Sequence, residues 1–189
     1  MNRDLSAFCE SEVIPSQLRT AFSTAEIVVE NQEVSKAIDQ LAVRLTIDFY
    51  KRHPIILFNL SDGVWFFTTI AQRLLFPHTA GYCDIEPEPT NTEMFWKIEP
   101  ILDVQDRDVL FLVGELSFIE EIERLNLWAQ GKGALSVSVG ALVDRINESD
   151  RSKGAYSCFR PKGQRVFGCG LSYGGYGYSL PDLYSVLES

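Results

Sequence analysis

Apolar residues recur at helical spacing over 31–51, where Val34, Ile38, Leu41, Leu45 and Phe49 fall three or four positions apart with charged and amide residues between them. Such a stripe lies on one face of an amphipathic helix. His53-Pro54 ends it, because the residue before a proline is pushed out of the helical region. The period then changes. Residues 55–59, Ile-Ile-Leu-Phe-Asn, form a short apolar run before the turn residues Ser61-Asp62-Gly63 and read as a buried strand. A helix over 64–75 and a strand over 79–85 complete one strand–helix–strand unit. A second unit follows: a strand at 109–113, a helix over 118–130 with Ile119, Ile122, Leu125, Trp128 and Ala129 on one side, a stop at Gly131-Lys132-Gly133, and a strand over 134–143. Between the units, 94–98 reads as a strand returning from a loop. Two such units with apolar strands call for a parallel sheet covered on both faces and joined by right-handed crossovers. Ligands of such sheets sit at the carboxyl ends of the strands. The turns after Asn59 and Val113 are therefore where chemistry is expected.

Composition narrows the function classes. The chain has 189 residues, 46% hydrophobic and 23% charged, which fits one medium domain with a real core. A net charge of -9 leaves no basic face for nucleic acid or an anionic membrane, and it disfavours a highly phosphorylated substrate unless a local basic pocket overrides it. The four cysteines, Cys9, Cys83, Cys158 and Cys169, form no paired motif, and only His53 and His78 could join them, so free thiols in a reducing cytoplasm are expected rather than a zinc site. The N-terminus has no apolar leader, and no uncharged apolar run reaches the ~18 residues of a membrane helix. A cytoplasmic protein is expected. The acidic, proline-bearing stretch at 86–93 reads as an exposed lid-like loop, and residues 1–20 as a lead segment of the single domain 1–189. The glycines at 168, 170, 174, 175 and 177 do not form a dinucleotide fingerprint and are read as structural.

The order of elements, Phe95-Trp96-Lys97 after a loop, Asp106-Arg107-Asp108 before the strand at 109–113, and the tail Val166-Phe167-Gly168-Cys169-Gly170-Leu171-Ser172-Tyr173 are similar to bacterial hypoxanthine/guanine phosphoribosyltransferases over residues 20–188. The resemblance implies a type I phosphoribosyltransferase-like α/β fold: a mostly parallel sheet with helices on both faces and a small hood from the terminal segments. It also implies where the site should lie. In that family a strand ends in two acidic residues that contact ribose hydroxyls, followed by a catalytic aspartate and a Thr-Gly-x-Thr turn that cradles the 5′-phosphate of phosphoribosyl pyrophosphate. Here the acidic places hold Val113 and Gly114, then come Glu115 and Leu116, the catalytic aspartate's place holds Ser117, and the phosphate turn reads Phe118, Ile119, Glu120, Glu121. The pyrophosphate turn corresponds to Leu60, Ser61, Asp62 and Gly63, with a carboxylate where many members carry lysine. The purine-reading lysine corresponds to Arg145, the stacking aromatic to Arg165 beside Val166, and the aspartate that holds metal through water to Ser172.

These departures set the functional expectation. Two like charges about 4 Å apart repel by about 4 kcal/mol at an effective dielectric near ~20. A helix start returns only about 0.3–1 kcal/mol to an anion. With Glu120, Glu121 and Glu123 crowding the first turns, a phosphodianion should be rejected. The spacing Ser117-Phe118-Ile119-Glu120 predicts a capping box, in which the Ser117 hydroxyl and the Glu120 carboxylate satisfy the helix start internally. The leading reading is a catalytically silent or impaired homologue acting as a binding or interaction protein, with no cofactor. The alternative is an active purine phosphoribosyltransferase of salvage, making IMP or GMP and pyrophosphate with Mg2+. A third is a small-molecule binder that keeps a purine-sized pocket around Arg145 and Val166, with a purine or nucleotide as ligand. The resemblance implies a homo-oligomer, a dimer or tetramer, with an active homologous subunit as a further partner. Trp65, Phe66 and Phe67 cannot all face one core from a single helix, so at least one should be left for a second layer or a partner chain.

Overall fold

The structure, a computed structural model, describes residues 5–86, 95–146, 155–161 and 165–186. Beyond residue 86, the acidic loop expected at 86–93 lies outside the described residues. The chain divides into two compact units, Met1–Lys36 with Pro161–Ser189, and Ala37–Arg160.

The terminal unit is built from α1 (Ser6–Glu10), α2 (Ser16–Ser23), β1 (Glu26–Val29), the start of α3 (Asn31–Phe49) and two strands from the C-terminal segment. The larger unit continues α3 and then runs β2 (Ile55–Asn59), α4 (Val64–Ala71), β3 (Thr79–Glu86), β4 (Phe95–Ile98), β5 (Asp108–Leu116), α5 (Ile119–Gly131), β6 (Ser136–Asp144) and β7 (Ala155–Phe159). The last two strands, β8 (Val166–Phe167) and β9 (Leu183–Ser185), return to the terminal unit.

The larger unit is a six-stranded sheet in the order β4-β3-β2-β5-β6-β7. The β2–β3, β2–β5, β5–β6 and β6–β7 pairs are parallel, and β4 alone runs antiparallel, on β3. The two strand–helix–strand units therefore share one sheet as the periodicity requires. The chain winds from β2 to β3 on one side and from β5 through β6 to β7 on the other. The direction of winding reverses between the parallel neighbours β2 and β5, which makes their carboxyl ends the switch point.

Pleat alternation assigns the core. Val109, Phe111 and Val113 of β5 share a buried cluster with Ile55, Leu57, Val139 and Ala141, and α5 covers it with Ile122, Leu125 and Ala129. The intervening Leu110 and Leu112 are also fully buried, and α4 lies against β5 and β2 with Phe66 and Ile70 inside. The close approach has a sequence cause: a Cβ on Gly63 would stand 2.7 Å from the Leu112 carbonyl oxygen, so only glycine lets α4 start there. The helix stops at Ala71, short of the expected 75, as the chain turns through Gln72 and Arg73 towards Pro77. Trp65 and Phe67 of the same helix are half-buried, and Phe67 stacks on Phe58 at 4.2 Å. At the amino end of the sheet the Arg52 Nε donates to Asp108 Oδ2 at 3.0 Å, and the Ser136 hydroxyl donates to Asp108 Oδ1. Burial pushes the Asp108 carboxyl up, but the hydrogen bonds from Arg52 and Ser136 outweigh it and hold the group below the usual carboxylate range. All four cysteines are free thiols, and burial pushes Cys83, Cys158 and Cys169 up to about 12.

In the terminal unit β9 is flanked antiparallel by β1 and β8. Phe22, Phe167, Leu180 and Tyr184 form its core, with the Phe22 ring edge-on to Phe167 at 5.3 Å. The glycine-rich tail is structural here: Gly168 has φ +99°, and a Cβ on it would lie 2.0 Å from the Asp182 carbonyl oxygen. Asp182 itself is buried and accepts the Asn31 N–H at 2.7 Å, supplying from a distant part of the chain a partner for the first turn of α3. Asp182→Ala should lower stability by about 0.5–2 kcal/mol, with Asp182→Asn costing less, because an amide oxygen still accepts. Urea unfolding of the two variants checks this; equal loss in both would assign the effect to packing instead.

Candidate functional site

The switch point is closed by side chains of the protein itself. Asn59 ends β2 buried, and its carboxamide organises the turn that follows: Nδ2 donates to Ser61 Oγ at 2.9 Å and to Asp62 Oδ1 at 2.8 Å, while Oδ1 accepts the Ile85 N–H. Leu60 and Gly63 fix the backbone of the same turn, donating to the carbonyls of Cys83 and Asn59. The turn aims Asp62 across to the end of β5. There Asp62 Oδ2 accepts the Glu115 N–H at 2.9 Å, and the Gly114 amide also favours the charged carboxylate. Burial raises the Asp62 carboxyl above its ordinary range despite these bonds.

The strand β5 runs three residues past the apolar stretch 109–113, so Gly114, Glu115 and Leu116 are strand residues and Arg145 donates its N–H to the Leu116 carbonyl. Beyond it the helix start differs from the expected capping box. Phe118, exposed and extended, is the N-cap residue of α5 and gives no side-chain cap. Ser117 does not accept from Glu120; its hydroxyl donates to Glu115 Oε1 at 2.8 Å. Glu121 instead reaches back, its Oε2 accepting the Ser117 N–H at 3.2 Å, and the Phe118 amide also favours its charged form. The helix begins one residue later than the Ser-x-x-Glu spacing implies, which puts Glu121 rather than Glu120 at the third helical position. The serine is drawn off because a carboxylate is the stronger acceptor for its proton. Glu120 is left exposed, while Ile119 is half-buried against the α5 core.

Arg145, half-buried after β6, donates from Nη1 to Glu115 Oε1 at 3.0 Å, and its buried Nε has no partner among the described residues. Asp62, Glu115, Glu121, Ser117 and Arg145, which the sequence assigns to three different places, thus stand together. Arg165, Val166 and Ser172 belong to the terminal unit: the Arg165 guanidinium lies over the Tyr173 ring at 5.9 Å, Val166 is buried in β8, and Ser172 is half-buried between two short bridges. Two organising residues escape a sequence reading: Asn59, and Asp144, which is buried at the end of β6 and pairs with Arg160 at 3.2 Å. The signal for Asn59 was a single amide closing an otherwise apolar run. Among the described residues, no group of three or more His, Cys, Asp or Glu side chains is placed to hold a metal ion. The carboxylates here already accept from backbone amides, Ser117 and Arg145, so the residues do not fit a magnesium ion, which takes free oxygen ligands.

The fold is that of the type I phosphoribosyltransferases, mixed α/β with a mostly parallel central sheet. No protein-family model matches the chain, and no curated protein matches it by sequence. Among solved structures it is similar to a hypoxanthine phosphoribosyltransferase of Staphylococcus aureus, with a TM-score of 0.77 at 17% identity over 85% of this chain and 90% of that one. It is likewise similar to a hypoxanthine-guanine phosphoribosyltransferase of Bacillus anthracis with a HEPES molecule in its active site, at 0.78 and 13% identity over 86% and 97%. A third is the Trypanosoma cruzi hypoxanthine phosphoribosyltransferase, at 0.76 and 15% over 85% and 90%.

Glu121 gives the site a pH signature. Burial, opposed by the bonds from Ser117 and Phe118 and helped by the charges of Asp62 and Glu115, pushes its carboxyl up to about 7 from an ordinary 4.5. A raised carboxyl holds its proton in the folded state after the unfolded chain has released it. Its contribution is therefore greatest below the unfolded value and is lost as pH rises through about 7. The denaturation midpoint should fall between about pH 5 and about pH 8, and Glu121→Gln should flatten that fall. An unchanged slope in the variant would show that Glu121 does not titrate in this window.

Proposed function

We propose that the protein is a phosphoribosyltransferase-fold homologue that does not transfer a phosphoribosyl group and works by binding or interaction, without a cofactor. One observation carries the reading: at the place where the resemblance puts the phosphate cradle, the amides of Glu115 and Ser117 donate to carboxylates of the same chain, Asp62 and Glu121, and the Gly114 and Phe118 amides also favour the charged forms of those carboxylates. A phosphate needs those donors. It would also meet the charges of Asp62, Glu115 and Glu121 with only Arg145 to offset them. At the catalytic aspartate's place, Ser117 is neutral and has given its proton to a bond with Glu115.

A second reading has its own support. The unpartnered Nε of Arg145 is a donor available to a carbonyl-bearing purine, so a purine site without phosphate transfer is the version of this function we favour. Self-assembly is proposed on the half-buried Trp65 and Phe67 and on Tyr82, which is 45% exposed beside the Phe58 ring. An active homologous subunit is a further candidate partner.

Titration calorimetry tests both readings. Phosphoribosyl pyrophosphate with magnesium should give no saturable binding below about 1 mM. Hypoxanthine should bind, and Arg145→Ala should abolish that binding. Micromolar affinity for phosphoribosyl pyrophosphate, or nucleotide formation at about 1 per second or faster that Arg145→Ala abolishes, would overturn the silent reading in favour of the active enzyme.

A further inference from the structure

The outer face of α3 carries Val43 and Ile47 at 60 and 72% exposure, Tyr50 follows just past the helix end at 60%, and Leu75 nearby is 75% exposed. Positions 43, 47 and 50 are neighbours on one side of a helix. The opposite side is spent on the core through Ile38, Leu41, Leu45 and Phe49. One flank faces β7, where Asp48 accepts the Tyr156 hydroxyl at 2.8 Å and Arg44 lies over the Tyr156 ring. On the other flank Asp39 pairs with Arg73, and a groove of about 380 Å³ opens beside Val43, Ile47 and Leu75. A run of large aliphatic side chains this exposed, next to a groove, marks a surface meant to be covered.

We propose that a second copy of this chain covers it, its α3 packed antiparallel across a two-fold axis. An isologous contact requires that wherever residue i meets residue j, j also meets i. Reversing the helix about a centre between Val43 and Ile47 puts Val43 opposite Ile47 of the second copy, Gln40 opposite its Tyr50, and Asp39 opposite its Lys51. Apolar meets apolar, amide meets phenol, and carboxylate meets ammonium. A parallel arrangement would oppose Asp39 to itself and Lys51 to itself. The charge order along the stripe therefore selects both the partner and its direction. The groove receives the aliphatic side chains of the other copy between Val43 and Leu75.

This rests on the self-assembly proposed above and adds a surface on α3 to the one at Trp65, Phe67 and Tyr82, and the two can fail separately. Sedimentation equilibrium of the full chain should show an oligomer. Ile47→Arg should weaken its association at least about ten-fold. Since Ile47 is exposed, the core is untouched, and circular dichroism should be unchanged. Asp39→Lys and Lys51→Asp should each weaken association, and the two together should restore it; the Asp39–Arg73 pair is a surface contact whose loss costs little. A wild-type chain that is monomeric at every concentration sinks both proposals. An oligomer unmoved by Ile47→Arg, or a double charge exchange no better than either single one, whether because α3 is free or because another protein's helix is its occupant, sinks this surface alone.

Discussion

The larger unit depends on one carboxylate. Asp62 leaves the turn after β2 and accepts the Glu115 amide near the end of β5, so it ties together the two parallel strand ends between which the winding reverses. In an open α/β sheet that gap is the place a ligand enters, because the loops on either side diverge and leave backbone amides without partners. Buried amides cannot be left unsatisfied without a cost of about 1–3 kcal/mol each. Something must occupy them. In this chain the occupant is built in, and the rest of the site follows. Asn59 is buried to aim Asp62, Gly63 lacks a side chain so that the turn can close on β5, and Glu115 turns to Arg145 and Ser117.

The opposite end of the same sheet uses another carboxylate to a different end. Asp108 is also buried at a strand terminus, yet it sits with a guanidinium and a hydroxyl, and its carboxyl is held low. Asp62 and Glu121 have only amides and one carboxamide, with other carboxylates close by, and theirs are pushed up. The contrast separates an ionic clamp from a hydrogen-bonded plug. A clamp needs charge on both partners. A plug needs only acceptor oxygens, which a protonated carboxyl still supplies through its carbonyl.

Much of this was legible in the sequence, and what was not has a physical cause. The runs at 55–59 and 109–113 are apolar on both faces, and central strands of a parallel sheet must be. Their helices announced themselves by period. The strand β7 is half-buried throughout, and its alternation of Tyr, Ser, Cys and Phe carries no clean period. The strands β1, β8 and β9 are two to four residues long, and β9 pairs with β1 from the opposite end of the chain, which no local window can see. At the site, an acid-rich helix start could be read from the crowd at 120–123, but the residue that reaches back to the Ser117 amide could not. A one-residue shift of the helix start moved the task from Glu120 to Glu121, and that shift is set by β5 running on to Leu116 through pairing with β6. Spacing arguments fix a motif relative to a boundary, and the boundary here was tertiary. Asp62 was visible as a carboxylate out of place, whereas its reach across to Gly114 and Glu115 depended on β2 and β5 being neighbours.

On the proposed reading, an internal carboxylate prevails over a diffusing phosphate by entropy as much as by charge. A free ligand gives up translational and rotational freedom on binding, at a cost of at least about 4 kcal/mol. Glu121 and Asp62 give up only side-chain rotamers, about 0.5–1.5 kcal/mol each. Both kinds of acceptor present oxygens to the same amides, so the hydrogen bonds gained are alike in kind, and the tethered acceptor behaves as though present at a very high local concentration. To enter, a phosphate would have to displace both carboxylates, leave them buried and unpaired, and remain beside them as a like charge. Each of those terms opposes it. No single substitution in the loop accounts for the closure. It comes from two acids arriving from different elements, the turn after β2 and the first turn of α5, and meeting on one short stretch of backbone.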